Sequence, residues 1–264
     1  MLDAAALLEV YDSQLREAEV RMATRFERHG PLLWATFGHT RGFVTYRSLD
    51  GYADRLRLLV AATRAYYEAR PVITEVEWKT RGHDVAPGLP DILRQHGFVP
   101  QDEESVMLGE AAAMAVDVPL PPGVVIRRIT AERDVRRMSA MQAVAFGQDR
   151  TDEDLVGDLL HQTQEDPESL ELWVAEVDGE VISAGRLEPV PGTEIAGIWG
   201  GSTLQEWRGQ GIYRALTAER ARSALRRGLR YLHSDSTEFS RPILERSGFL
   251  TITTTTPYEW HRDS

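Results

Sequence analysis

The chain has 264 residues, a formal net charge of -11 and a mean hydropathy of -0.34. That length, with 42% hydrophobic residues, allows one large domain or two smaller ones and excludes disordered, collagen-like and membrane-spanning proteins. The absence of cysteine from the sequence excludes disulfides, cysteine-based zinc sites and cysteine nucleophiles. The excess of 41 acidic over 30 basic residues argues against a nucleic-acid partner and would suit a cationic substrate.

The first residues lack the basic stretch followed by an apolar core that a secretory signal needs, so the cytoplasm is the expected location. A proline-rich segment then divides the chain, since residues 117–123 read Asp-Val-Pro-Leu-Pro-Pro-Gly. Proline fixes φ and lacks an amide donor, so such a run stops regular structure. It predicts two domains, residues 1–117 and 124–264, joined by a linker at 118–123.

The two halves share a pattern. The sequence Ile-Leu-x-x-x-Gly-Phe occurs at 92–98 and again at 243–249, and an Asp (Asp84 or Asp235) stands fourteen residues before each Phe. A strand candidate follows each copy. A helix that ends in glycine before an apolar strand explains each copy locally, and the shared spacing favours a duplicated α/β unit.

The second half reads as a mixed α/β domain in chain order. Asp178-Gly179 is a hairpin signal between two apolar runs, and a helical pattern later connects to a further strand. Three antiparallel strands followed by a helical crossover form a mixed sheet, not a doubly wound one. The predicted strands are 124–127, 172–177, 180–187, 194–199, 229–232 and 257–260, and the predicted helices include 131–146 and 211–227.

The most informative stretch is the loop before the second of these helices, 203–211. Gly209 and Gly211 let the backbone turn sharply and approach a ligand closely. The first amides of a helix have no internal partners and carry partial positive charge, which makes an anion site suited to a pyrophosphate. Neither a P-loop nor a dinucleotide-binding fingerprint occurs in the sequence. The first half has no such loop, so we interpret it as a degenerate copy that buttresses the second half.

This stretch resembles the pyrophosphate signature of the GNAT superfamily of acyl-CoA N-acyltransferases, Gln/Arg-x-x-Gly-x-Gly/Ala. Arg208 and Gly211 match it, whereas Tyr213 replaces its last small residue. The resemblance covers the whole second half and, in the first, residues 72–110. It implies a tandem GNAT-like fold in which the fourth and fifth strands of the second domain splay apart, and acetyl-CoA as cosubstrate without a metal.

The resemblance also implies the residues that hold acetyl-CoA. Main-chain groups of Ser202, Thr203 and Leu204 would run beside the pantetheine. The amides from Gly209 to Tyr213 would bind the pyrophosphate. Thr237 stands where the family often has a CoA-contacting Asn. The implied cofactor-binding residues are Ser202, Thr203, Leu204, Arg208, Gly209, Gln210, Gly211, Ile212, Tyr213 and Thr237.

The catalytic groups are less clear from the sequence. Glu194, at the head of the fourth strand, lies near where some family members carry a base carboxylate, and Glu188 is its rival. Many members place a general-acid Tyr five residues before the conserved Phe, but Leu244 occupies that position here. The acid therefore stays open among Tyr258, His233 and Ser234.

Together these features predict an N-acetyltransferase that acts on a primary amine of a small molecule by direct attack in a ternary complex. The alternatives are a non-catalytic acyl-CoA sensor, acylation of a protein amine, and use of a longer acyl-CoA. We expect no nucleic-acid or membrane partner, and the sequence leaves a homodimer open.

Overall fold

The computed structural model describes residues 2–262. Its helices are α1 (Ala4–Gln14), α2 (Leu56–Glu68), α3 (Leu89–Gln95), α4 (Ala111–Met114), α5 (Glu132–Ala145), α6 (Glu153–Glu165), α7 (Ile212–Arg226) and α8 (Arg241–Ser247). Short 3-10 turns lie at Ala18–Met22, Ala53–Arg55 and Gln205–Trp207. The strands are β1 (Arg25–His29), β2 (Leu32–Phe37), β3 (Arg41–Tyr46), β4 (Glu75–Arg81), β5 (Val99–Pro100), β6 (Glu104–Glu110), β7 (Val125–Ile129), β8 (Glu171–Val177), β9 (Glu180–Pro189), β10 (Ile195–Thr203), β11 (Tyr231–Ser236) and β12 (Leu250–His261).

The described residues form a single twelve-stranded mixed sheet. Its strand order is β1-β2-β3-β4-β12-β6-β11-β10-β9-β8-β7, and the short β5 pairs with β12. Two neighbouring pairs are parallel, β3 with β4 and β10 with β11. Parallel strands need a long crossover, which α2 supplies in the first half and α7 in the second. The mixed α/β fold predicted from the sequence is therefore confirmed.

Both halves repeat one order of elements: three antiparallel strands, a helix, a strand, a helix and a final strand. The final strands are exchanged between the halves. β6 of the first half lies beside β11 of the second, and β12 of the second half lies beside β4 of the first. The exchanged strands also pair with each other, which joins two sheets into one.

Side-chain alternation along the strands sends successive residues to opposite faces of this sheet. On β11, Tyr231 packs against α1, whereas its neighbour Leu232 packs in the cluster that includes α7 and α8. On β4, Trp78 joins the core beneath α2 and α3, while Lys79 points to the opposite face. Helices α1, α5 and α6 thus share one face, which we call the open face, and α2, α3, α4, α7 and α8 cover the other.

Local sequence signals explain most element boundaries. The observed α5 and α7 lie within one residue of the helices predicted at 131–146 and 211–227. Gly228 ends α7 with a φ of 77°, a conformation that glycine adopts without strain. The strands differ more from their predicted bounds: β12 begins at Leu250, seven residues before the predicted start, β10 runs on to Thr203, and β11 begins and ends later than 229–232. Within residues 2–262, none of the helices has the length and apolar character that crossing a bilayer requires.

Candidate functional site

The N-terminus of α7 forms an open cradle of main-chain amides. Gly209 and Gly211 have φ values of 75° and 80°, and no side chain caps this end of the helix. The amide of Ala215 bonds to the carbonyl of Gly211, so the preceding helix amides have no carbonyl one turn back to bond. Unpaired donors and the positive end of the helix dipole suit an anion.

Arg208 braces this loop from within. Its Nε donates to the carbonyl of Thr203 at 3.0 Å and a terminal nitrogen donates to the carbonyl of Ala145 at 3.3 Å. Gln210 similarly donates to the carbonyl of Glu206 at 3.0 Å. The two side chains fix the loop and leave the amide donors as its ligand-facing groups.

The ring of Tyr213, the departure from the family signature, lies against β10. A Cβ atom at Gly201 would lie 2.5 Å from the Tyr213 hydroxyl, so only a glycine at 201 leaves room for the ring. The guanidinium of Arg220 lies 5.7 Å from the ring centroid. The aromatic side chain is thereby accommodated beside the helix end while its amide stays at the cradle.

Beside the cradle, β10 and β11 separate. They pair only at Ile195–Gly197 with Tyr231–His233, although β10 continues to Thr203. A bulge interrupts the pairing of β10 with β9 between Trp199 and Ser202, and Gln142 of α5 donates to the carbonyl of Gly200 in that bulge at 2.6 Å. The splayed strands expected from the sequence are confirmed.

One observation, which ordinary packing leaves unexplained, tests whether the residues at the gap suit coenzyme A. The hydroxyl of Ser202, on the separated part of β10, is buried without a hydrogen-bond partner among the described residues. Buried polar groups are normally satisfied, so an orphan hydroxyl on this stretch of β10 suits a polar ligand bound beside it. Thr203 instead shares a hydrogen bond of 2.8 Å with Ser183, and the amide of Leu204 donates to the carbonyl of Ile182.

On the open face, a cleft of about 580 Å³ lies between the two halves, which is within the usual range of small-molecule sites. Three residues of one cross-strand row border it: Glu188 of β9 pairs with Gly197 of β10, which pairs with His233 of β11. The indole of Trp199 lies over Gly197 and contacts the His233 ring edge to face, with centroids 5.5 Å apart. The point where β10 and β11 part therefore opens into the cleft.

A chain of buried polar and charged side chains connects His233 to the first half. Its Nε2 lies 3.2 Å from Oδ1 of Asp235, whose Oδ2 lies 2.7 Å from the ammonium of Lys79. Lys79 also contacts Glu19, which follows α1. Burial by itself would raise the pKa of Asp235, but Lys79 and His233 outweigh burial and hold that pKa well below its usual range. Asp235 is accordingly ionised, and it is placed to orient the imidazole.

Two further carboxylates border the cleft, and nearby cations offset only part of the cost of burying their charge. Burial raises the pKa of Glu188, and Arg186, at 3.5 Å, opposes the effect only partly. Burial likewise raises the pKa of Glu77 on β4, with partial opposition from Lys79. Both carboxylates thus lie where a positive ligand would relieve a desolvated charge.

The structure does not bring Glu194, the base candidate from the sequence, to the cleft. Its side chain is 42% exposed, accepts a hydrogen bond from Gln14 at 3.2 Å and lies 3.3 Å from Arg230. These contacts join α1 to the start of β10. The carboxylate that the structure does place at the cleft is the rival candidate, Glu188.

The remaining sequence candidates are dispersed. Thr237 is exposed in the turn after β11, with its hydroxyl 3.2 Å from that of Ser240. Leu244 is buried in the core beneath α7. Of the three acid candidates, Tyr258 is buried in the first-half core and the Ser234 hydroxyl bonds to the carbonyl of Asp235, so only His233 borders the cleft.

Sequence reasoning missed the contribution of the first half. Glu19, Glu77 and Lys79 border the cleft, yet none lies in a recognisable motif. One signal was present, because Lys79 is the single lysine of a chain whose other 29 basic residues are arginine.

Comparison with known proteins agrees with this geometry. Residues 133–249 match the family described as the acetyltransferase (GNAT) family. A search of the curated proteins found no match.

Similar solved structures extend over both halves. A GCN5-related N-acetyltransferase from Kribbella flavida is 16% identical with a TM-score of 0.70, over 100% of this chain and 98% of that one. A GCN5-related N-acetyltransferase from Sphaerobacter thermophilus is 17% identical with a TM-score of 0.60, over 88% and 76%. A tandem GNAT protein from the clavulanic acid biosynthesis pathway is 15% identical with a TM-score of 0.62, over 90% and 82%. These likenesses confirm the tandem GNAT fold.

Proposed function

Given that the second half of this chain is a GNAT-family acetyltransferase domain, we propose that the protein transfers an acetyl group from acetyl-CoA to a primary amine of a small molecule. The observation that carries the proposal is the continuity of three features: the amide cradle at α7, the gap between β10 and β11, and the cleft into which the gap opens. The attack is direct, in a ternary complex, and needs no cysteine or metal. The chain also needs no oxidising compartment, so the cytoplasm remains the proposed location.

The residues at the cradle and gap fit the donor. The amides from Gly209 to Tyr213 would bind the pyrophosphate, and Ser202 to Leu204 would line the pantetheine. Arg208 would act by holding the loop, as its contacts with Thr203 and Ala145 already do. When bound, the thioester supplies an acyl carbon open to attack and a sulfur leaving group. Thr237 stays a weaker candidate contact.

The acceptor amine must lose a proton before it attacks. With a pKa near ~10.4, roughly 1 in 2,500 molecules is neutral at pH 7, a penalty of about 4.6 kcal/mol. We assign proton removal to His233, in place of Glu194, because its ring borders the cleft at the point where the strands part. Asp235 faces Nε2, which leaves Nδ1 to take the proton, and Glu188 holds the incoming ammonium. A general base placed in this way contributes about 10²–10⁴-fold in rate.

Negative charge that develops on the acyl oxygen needs a donor. The bulge at Gly200 and Gly201 breaks the pairing of β10 with β9, and Gln142 fixes its orientation. We assign the donor to the main-chain amides of this bulge, since fixed donors of this kind are worth about 2.7–4 kcal/mol. With Leu244 buried at the usual Tyr position, the thiolate leaves without a dedicated tyrosine acid; a thiol pKa near ~8.5 makes late protonation undemanding.

The first test is binding of acetyl-CoA, measured as a rise in melting temperature. Gly211→Trp is expected to abolish the rise, because an indole at the first residue before α7 would occupy space at the cradle. Gly228→Trp is the matched control: it has a similar positive φ, with open space, at the far end of the same helix. A Gly211→Trp variant that still binds acetyl-CoA normally would refute the cradle.

The second test is release of free CoA thiol with a panel of amines. Steady release supports the transferase. Binding without release would identify the alternative, an acyl-CoA sensor. Preference for a protein amine or a longer acyl-CoA in the same assay would identify the other two alternatives.

A further inference from the structure

The two poorly compensated carboxylates border the cleft from opposite walls. Glu188 lies on β9 and Glu77 on β4, five strand positions apart in the sheet. The sheet curves enough that Lys79 of β4 reaches Asp235 of β11, three strand positions away, at 2.7 Å. Curvature therefore brings a carboxylate of each half to one shared cavity.

The cations along the same walls already have protein partners. Arg21 donates to the carbonyl of Pro191 at 2.5 Å, and Arg41 pairs with Glu75 at 2.7 Å. Lys79 lies between Glu19 and Asp235, as described above. Glu77 has no hydrogen bond or ion pair with the described residues, so this carboxylate has no bonded counterion in the cleft.

Apolar groups occupy the space between the two carboxylates. Phe37 and Phe43 meet edge to face, with centroids 5.8 Å apart, on the first-half wall. The Trp199 indole lies on the second-half wall, and aromatic faces attract cations as well as alkyl chains. An aliphatic spacer with charged ends matches this arrangement.

A separate observation also points to a ligand in this cleft. The side chain of His233 is only 3% exposed and borders the cleft, and among residues 2–262 its ring has one polar neighbour, Oδ1 of Asp235, which lies 3.2 Å from Nε2 without hydrogen-bond geometry. A buried polar group of this kind is normally satisfied. An amine in the cleft would supply a partner for Nδ1, the ring nitrogen that Asp235 does not face.

We propose that the acceptor is a small aliphatic amine that carries a second cationic group, with the reacting amine at Glu188 and His233 and the second cation at Glu77. The proposal rests on the proposed acetyl transfer. In that reaction the amine nitrogen forms a bond to the acyl carbon, the carbon–sulfur bond breaks, and sulfur leaves with the electron pair. Of the two protons lost by the ammonium, one ends on the CoA sulfur and one is released through His233.

The experiment compares three probes with the same five-carbon chain: pentane-1,5-diamine, 5-aminopentan-1-ol and pentan-1-amine. Binding to the full chain is measured calorimetrically without acetyl-CoA, and turnover is measured with it. We expect the diamine to bind at least 10-fold more tightly than either monoamine, and Glu77→Gln to remove that preference. Glu259→Gln is the matched control, because Glu259 lies opposite Glu77 on β12 but outside the cleft, and it should keep the preference.

Folding of the Glu77→Gln variant is checked by its melting temperature, which should not fall at pH 8 because a desolvated charge has been removed. Equal affinity of the wild type for the three probes, or a preference that survives Glu77→Gln, would overturn the inference and leave acetyl transfer intact. Tight diamine binding without release of CoA thiol would instead refute the transferase and leave the dicationic site standing.

Discussion

Substitution of Gly197 by alanine tests the cleft with little disturbance elsewhere. Gly197 is the last residue of β10 paired with β11, and its φ is not in the left-handed region, so the backbone accepts alanine. The new Cβ would, however, lie 2.3 Å from Nε1 and 2.8 Å from Cε2 of Trp199. Distances under 3 Å do not occur between real atoms of this kind, so the indole must move.

The cost of that movement follows from what surrounds the ring. Overpacking of a well-packed site costs about 1–3 kcal/mol. Trp199 borders the cleft on one side and contacts His233 on the other, so part of the strain can be relieved by turning the ring into the cleft. We therefore expect a loss of unfolding free energy near the low end of that range, seen as a lower melting temperature. We also expect a fall of about 10–100-fold in kcat/KM for the amine, equivalent to about 1.4–2.7 kcal/mol.

Separate measurements of acetyl-CoA affinity and of amine kinetics show which of the two ligands the substitution affects. Affinity for acetyl-CoA should stay within about threefold (~0.7 kcal/mol), because the cradle lies at the other end of β10. Gly157→Ala is the control, since Gly157 lies inside α6 with open space around its Cα and should gain up to ~1 kcal/mol of helix stability. Unchanged amine kinetics in Gly197→Ala would show that Trp199 does not shape the acceptor site.

Three other outcomes are expected. Residues 124–264 expressed alone should not give a cooperative unfolding transition, because they lack β6; its buried Val106, Met107 and Leu108 are worth about 1.5–3 kcal/mol each, and their sum rivals the whole stability of a domain. Co-expression of residues 1–117 should restore the transition, and a stable isolated second half would contradict the strand exchange. His233→Gln should lower kcat about 10²–10⁴-fold with an unchanged acetyl-CoA affinity by calorimetry, whereas loss of that affinity would assign the residue to the donor site. Glu188→Gln should unfold at higher urea than the wild type at pH 8. Burial raises the folded-state pKa of Glu188, so its stabilising protonation is complete below the unfolded value near ~4.3 and is lost as pH rises through the folded pKa. The difference between the two proteins should accordingly shrink towards pH 4, and a difference independent of pH would refute the assigned cause.

The strand exchange gives the degenerate half a physical role. In that half a 3-10 turn at Ala53–Arg55 separates the loop glycine, Gly51, from the start of α2, yet the half supplies β6 to the core beside β11. It also supplies one wall of the cleft, including Glu77 and the ammonium that pairs with Asp235. Both halves thus border one cleft; in the proposed reaction the second half binds the donor and the first supplies part of the acceptor wall.

Local features were readable from the sequence because their causes are local. Positive φ values at Gly209 and Gly211 follow from the residue type, and the bounds of α5 and α7 follow from apolar spacing. The family signature at Arg208 and Gly211 identified the domain on the same basis, since the cradle consists of consecutive residues. The repeated Ile-Leu-x-x-x-Gly-Phe pattern likewise revealed the duplication.

The tertiary structure alone decided which chemical groups meet at the cleft between the halves. Glu194 and Glu188 are six residues apart in one hairpin, and no sequence pattern tells which of them faces the cavity. Lys79 and Asp235 are 156 positions apart and meet only because the final strands change places and the sheet curves. Contacts of this kind depend on strand order and register, which are set by the burial of both halves together and leave no periodic trace in either one.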